Sequence, residues 1–343
     1  MKETFEKRLR DYGEVAKDIM KKEDKVDDEL RAVYNWHIQK GSESSNTSKR
    51  SQVDIFNLQR RKQEIINELK KNISRLDGGN NEKNQETARE IFLNKEGSLQ
   101  DNNGEVISLG ELITDGEWDI DYSLNSETVP RQIRKRYLIE RAKIKLQNLL
   151  DDQIAINERD SENVDIMKRD AYKRSYEDKH LGVEKAGLLA EKMVRNLLKK
   201  IIIDLGADFE LEKADLYQDV NQKIDFIIKR KSRGRGVRIE ESMENLGIQF
   251  TINTREDIKR HKEKQIERSK KELLPEDHIK DIVLVSVPIN DINNKYNEWK
   301  MDKRPGGPDK LWSIADKKRI FEEITKGFLT QEEIFEYLEK IDE

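Results

Sequence analysis

The chain has no cysteine in its 343 residues. This excludes disulfides, thiolate metal centres and a cysteine nucleophile, and it gives no support to a secreted, disulfide-stapled scaffold. Any chemistry must come from carboxylates, lysines or hydroxyls. Histidine is scarce as well: His37, His180, His261 and His278 are the four present, and no two stand at a metal-ligand spacing such as i, i+4 on a helix. Each reads as an ordinary surface or cap residue. The longest nearly continuous apolar run, 282–289, is interrupted by Ser286 and Pro288 and is too short to span a bilayer. The N-terminus opens on mixed charges without an apolar stretch, so no secretory signal is expected, and a cytoplasmic location without membrane association is. The phosphate-cradling patterns GxGxxG and GxxxxGK[ST] are both absent, which argues against a nucleotide-hydrolysing motor.

Charge is what the chain has in excess. Charged residues make up 40% of it, against roughly 25% in an average soluble protein. The 66 basic and 70 acidic residues nearly cancel, leaving a net charge of -4. Disorder is the first expectation from such a composition. However, Leu, Ile, Val and Phe still supply about a quarter of the chain, above the roughly 20% below which a highly charged sequence fails to fold. A helix-rich protein with a thin core follows.

Four regions emerge along the chain. Residues 1–85 read as a charged helical hairpin or coiled-coil region. Within residues 1–40, Phe5, Leu9, Val15, Ile19, Val26, Leu30 and Val33 form a narrow helical stripe amid balanced charges; a second helix is expected over 53–76, and the stripe suits a helical protein partner or self-association through residues 1–76. Residues 86–170 read as a mixed, mostly helical region: a short helix, a segment with Trp118 and Tyr122, then a long basic helix opened by Pro130, with Thr128 as a candidate cap. Residues 171–290 carry a changing hydrophobic period, and 291–343 read as a helical extension. In the last, Trp299 and Trp312 flank the Arg304–Pro308 turn and read as core or docking anchors.

The third region is the informative one. A helix is expected over 183–205, where at about 100° per residue Val194, Leu198, Ile202 and Leu205 share one arc. Glu191 falls within that arc. A carboxylate on an apolar face needs a partner, either locally in Arg195, four residues on, or in a metal. Strands are then expected at 209–213, 223–230 and 247–253. Asp225 interrupts the second of these, and the third alternates Ile248, Phe250 and Ile252 with Gln249, Thr251 and Asn253, one face apolar and the other polar. A charged helix over 255–274 and a β-branched run at 281–289, suited to an interior strand, complete the order αβββαβ.

With Glu191 on the helix, Asp225 on the second strand and Gln249 on the third, this segment resembles the PD-(D/E)XK nuclease superfamily over about residues 182–289. The resemblance implies an α+β fold: a helical N-terminal half, an αβββαβ restriction-endonuclease-like core and a helical C-terminal tail. It also implies Mg²⁺ or Mn²⁺ held by Asp225, Gln249 and Glu191, and metal-dependent phosphodiester hydrolysis. Two positions depart from the family pattern. Gln249 replaces an acid, although an amide carbonyl still ligates a hard cation. Thr251 occupies the family's lysine position, where a hydroxyl cannot act as a cation. Lys262, on the inward face of the next helix, is the best substitute, and Lys223 is a second.

Between the second and third strands, Lys229, Arg230, Lys231, Arg233, Arg235 and Arg238 form a run of cations without an acid. The following helix adds Lys259, Arg260, Lys264, Arg268, Lys270 and Lys271. Such a run suits a DNA or RNA backbone, and equally a solvated hairpin or an acidic protein surface. Two functional readings result: a metal-dependent nuclease, and an inactive nuclease-like module that binds or scaffolds.

Overall fold

A computed structural model describes residues 49–78, 89–159, 166–181, 186–230, 245–271, 273 and 279–341. The helix expected within residues 1–40 lies outside them. The chain packs into two compact units, one built from residues up to Ser108 together with Asp115–Glu177, the other from Leu109–Thr114 together with Asp178 onward. Among the described residues no helix is long and apolar enough to cross a membrane. The architecture is α+β, mostly helical, with two small mixed sheets.

In the first unit, helix α1 (Lys49–Gly78) packs along helix α3 (Arg131–Arg159), with Ile65 against Leu149 and Ile156. This charged helix thus packs against a later segment of the same chain. Strands β1 (Arg89–Leu93), β2 (Leu99–Asp101), β3 (Val106–Ile107) and β4 (Tyr122–Leu124) pair in the order β3-β2-β1-β4. The short helix expected after Glu86 is thus a hairpin. Asn94 Oδ1 accepts from the backbone N–H groups of Glu96 and Ser98 at 3.0 and 2.9 Å, and Gly97 takes φ 82°, so turn chemistry overrides the weak helical pattern. Thr128 does not cap α3: its Oγ1 accepts from the Leu93 N–H at 3.2 Å, tying the segment before the helix to β1. Tyr122 hydroxyl donates to the buried carboxylate of Asp115, and its backbone N–H donates to the Tyr137 hydroxyl oxygen at 2.9 Å. Burial pushes Tyr137 up to about 12. Helix α4 (Ile166–Leu181) begins in this unit.

The second unit holds the segment of changing period. Helix α5 (Ala186–Asp204) turns at Gly206, φ 63°, into β5 (Phe209–Lys213). There follow β6 (Phe226–Arg230), β7 (Asn245–Thr251), helix α6 (Glu256–Lys270) and β8 (Ile279–Ser286). The sheet order is β5-β6-β7-β8, antiparallel for the first two pairings and parallel for β7 with β8. The register fixes the faces. Ile227 pairs with Gly247, which pairs with Ile282; this face meets α6 in a cluster of Ala214, Ile224, Ile227, Ile266, Ile279 and Ile282.

The opposite face is covered by the C-terminal helices. After α7 (Ile292–Asp302), α8 (Ile314–Thr325) and α9 (Gln331–Lys340) bring Phe328 and Tyr337 edge-on to Phe209, each at 5.8 Å. Trp299 and Trp312 are buried in this unit. The 291–343 segment is therefore part of this unit's core, and helix α2 (Leu109–Thr114) joins it from the middle region. Its N-terminal Gly110 donates to Asp204 Oδ1 at 2.7 Å.

One strand expectation is corrected. β8 is an edge strand, not an interior one. Its apolar run reflects cover on both faces, Ile282 under α6 and the other side against α8. On the polar side of β7, Asn245, Gln249 and Thr251 are all buried, because α6 lies over that face.

Candidate metal and nucleic-acid site

β5 ends at Lys213, β6 begins at Phe226, opposite Lys213, and β7 runs antiparallel to β6 to end at Thr251. These three termini share one end of the sheet. Because α5 doubles back into β5, its N-terminal half, with Glu191, is brought to that same end. The turn Gln218–Gln222 closes it.

Asp225 sits just before β6. Its N–H donates to the Ile248 carbonyl at 2.8 Å, its carbonyl accepts from Ala214 N–H at 3.2 Å, and its Oδ2 accepts from Phe250 N–H at 2.5 Å. The β6–β7 pairing begins at Phe226–Ile248, with Asp225 one residue before it and Gln249 one residue beyond Ile248 on β7. Gln249 is 5% exposed, and its Oε1 has no hydrogen-bond partner among the described residues. A buried carbonyl left without a donor is costly unless something else ligates it.

Glu191 keeps 19% of its side-chain surface and pairs with buried Arg195 at 3.3 Å, so the local partner expected from the spacing is present. Burial pushes Glu191 up to about 7, with the Asp219 carboxylate adding to the effect while Arg195, Lys213 and Lys262 oppose it. Asp225 is raised well above the ordinary carboxylate range, first by burial, then by the charges of Glu191 and Asp219; the Phe250 N–H and Lys262 act against this. Such a cluster of perturbed acids with opposing lysines is a feature shared with functional sites.

Asp219 was not distinguished by sequence reasoning. It lies in an irregular turn, where no periodicity marks a residue as inward-facing. Lys262 reaches the site: its ammonium donates to the Phe250 carbonyl at 3.4 Å. Lys223 is a poorer substitute, since its ammonium donates back to Val220 O at 2.6 Å and its backbone is left-handed at φ 59°. Thr251 Oγ1 accepts from Asn253 N–H at 3.2 Å. Among the described residues, no three carboxylate or imidazole side chains converge as a ready metal cage.

The basic run is less open than its composition implies. Lys229 pairs with Glu212. Arg230 bonds Glu333 at 2.9 Å and Asp208 at 3.2 Å and lies over the Phe328 ring. These two cations serve the fold, because antiparallel pairing with β5 and the docking of α9 bring acids to them. Lys231, Arg233, Arg235 and Arg238 lie outside the described residues. On α6, Lys259 and Lys270 pair with Glu256 and with Glu267 and Asp281, whereas Arg260, Lys264 and Arg268 are exposed.

No family model matches the chain, and neither the curated proteins nor the solved structures hold a match to it.

Proposed function

We propose that the second unit is a restriction-endonuclease-like core of the PD-(D/E)XK kind that acts on DNA or RNA in the cytoplasm. Mg²⁺ or Mn²⁺ would be held by Asp225, Gln249 and Glu191. The observation that carries this reading is the orphaned carbonyl of Gln249, next in the chain to Phe250, whose N–H holds Asp225, at the sheet end to which α5 delivers Glu191. The order helix, strand, strand, strand, helix, strand along the chain supports it.

A bound divalent cation would activate water and neutralise charge on a phosphodiester. The chain's own groups have distinct tasks. The Phe250 N–H fixes one oxygen of Asp225 and leaves Oδ1 for other partners. Arg195 holds Glu191 Oε1 and leaves Oε2. Lys262, anchored near the Phe250 carbonyl, stands in for the family lysine that Thr251 replaces and meets phosphate charge.

The test is incubation of labelled single- and double-stranded DNA and RNA with Mn²⁺. Cleavage by the wild type and its loss in Asp225→Ala are expected; cleavage that survives Asp225→Ala removes the site from the reaction. A second reading, a binding or scaffold module without cleavage, is favoured by Thr251 at the lysine position and by the absence of a three-acid cage among the described residues. Salt-sensitive nucleic-acid binding without calorimetric Mn²⁺ binding would select it.

A further inference from the structure

Helix α6 has an outward face that the acids do not use. At about 100° per residue, Arg260, Lys264, Arg268 and the cap residue Lys271 fall within one arc of about 80°, nearly opposite buried Ile266 and Ser269. All four are exposed, and none of their side chains is in an ion pair among the described residues. Ile266 is packed into the cluster with Ile227 and Ile282, so the helix is fixed on the sheet and holds the row outward.

The acids of the helix do not neutralise this row. Glu256 pairs with Lys259 at 3.7 Å, Asp257 with Arg255 at 2.7 Å and Glu267 with Lys270 at 3.3 Å. Glu263 stands about 60° from the edge of the arc. Helix stability does not account for the row either. Arg268 and Lys271 complement the negative C-terminal end of the helix, but that effect is confined to the last turn, and Arg260 and Lys264 lie ahead of it.

Spacing and surroundings decide the class of partner. Steps of four residues place Arg260, Lys264 and Arg268 about 6 Å apart along the helix axis, comparable with the separation of neighbouring phosphates along a nucleic-acid strand. None of the large exposed apolar side chains among the described residues lies on α6. A protein interface has an apolar core of that kind, whereas a nucleic-acid interface is polar and strongly positive. With a net charge of -4 over the whole chain, attraction to a polyanion must come from a local patch such as this one.

We propose that the outward face of α6 is a docking surface for the phosphate backbone of nucleic acid, on which Arg260, Lys264, Arg268 and Lys271 meet successive phosphates. The inference rests on the nucleic-acid part of the reading above but needs neither a metal ion nor cleavage. Contacts of this kind position a strand without reading its sequence. Because the same helix carries Lys262 on its inward side, nucleic acid held here is tethered beside the acids.

The test uses the full chain in EDTA and the tighter-binding of labelled duplex DNA and single-stranded RNA, with the association constant read across a salt series. Arg260→Gln/Lys264→Gln/Arg268→Gln should lower the constant about tenfold or more at low salt and reduce the slope of its logarithm against log salt by about 2–3, close to one per phosphate contact removed. The three positions are exposed, and urea unfolding checks that the variant folds as the wild type does. Arg61→Gln/Lys70→Gln/Lys71→Gln removes the same charge from exposed positions on α1 and should leave the slope unchanged. A stripe variant with wild-type affinity and slope, or an α1 variant weakened equally, overturns this surface and leaves the nucleic-acid reading standing. A wild-type chain that binds neither probe at low salt overturns both. One measurement needs no variant: polyglutamate, which carries charge without phosphate, should displace the probe about tenfold or more less well than unlabelled nucleic acid of equal charge. Equal displacement assigns the face to an acidic protein and overturns the proposal.

Discussion

Asp225→Asn should stabilise the metal-free protein at pH 8 while removing its divalent-cation binding. The amide keeps an oxygen to accept the Phe250 N–H and discards the charge. Glu191 sets the scale of the effect. Its carboxyl, ordinarily near 4.5, is pushed up to about 7, and that displacement corresponds to about 3 kcal/mol against the ionised folded state. Burial is the largest cause for both acids, and Glu191 and Asp219 raise Asp225 further by like charge. An asparagine at 225 removes one buried charge and its repulsions, offset by lost attraction to Lys262. A net gain of about 1–2 kcal/mol remains, or roughly 2–6 °C in Tm for a unit of this size.

The pH dependence follows in sign. The unfolded chain releases these protons near the ordinary carboxylate values, whereas folded Glu191 holds its proton to about pH 7. Between about 4.5 and 7 the folded state binds the extra proton, so wild-type stability falls as pH rises. The advantage of Asp225→Asn should therefore be large at pH 8 and shrink at pH 5. Urea unfolding in EDTA at both values, with Mn²⁺ titration by calorimetry, reads both effects. A variant less stable than wild type at pH 8, or one equally stabilised at both pH values, would refute the electrostatic account.

Other substitutions probe the frame around the site. Lys200→Met strands the buried Asp309 carboxylate and should cost about 3–5 kcal/mol in urea unfolding. Gly110→Ala brings a methyl group to 2.7 Å from the Lys200 Cα; a loss of about 1–3 kcal/mol is expected by the same measurement. Glu333 serves both the Thr330 capping box and Arg230, and is held down at about 2. Its stabilisation is present above about pH 4.5 and lost as pH falls toward 2, and because the pair is partly solvated Glu333→Gln should cost only about 1 kcal/mol at pH 7. Asp219→Asn should weaken Mn²⁺ binding about three- to tenfold through lost charge alone, read by calorimetry, while leaving nucleic-acid binding in EDTA unchanged.

The local part of this protein was legible in its sequence, because local structure follows from spacing. The 3.6-residue period marked α5, alternation marked β7, expected at 247–253 and found at Asn245–Thr251, and the i, i+4 rule paired Glu191 with Arg195. The order of helices and strands in the second unit follows from the same signals. What only the tertiary structure decided depends on residues distant along the chain. The Phe250 N–H of β7 holds the Asp225 carboxylate, and an irregular turn brings the Asp219 charge to bear on the two acids. Glu333 reaches Arg230 across 103 residues, which turns a cation that composition left unopposed into a structural anchor. Cover on both sides makes β8 an apolar edge and buries the polar face of β7. Periodicity states which way a side chain points along its own element; only the packing of elements determines what it meets there.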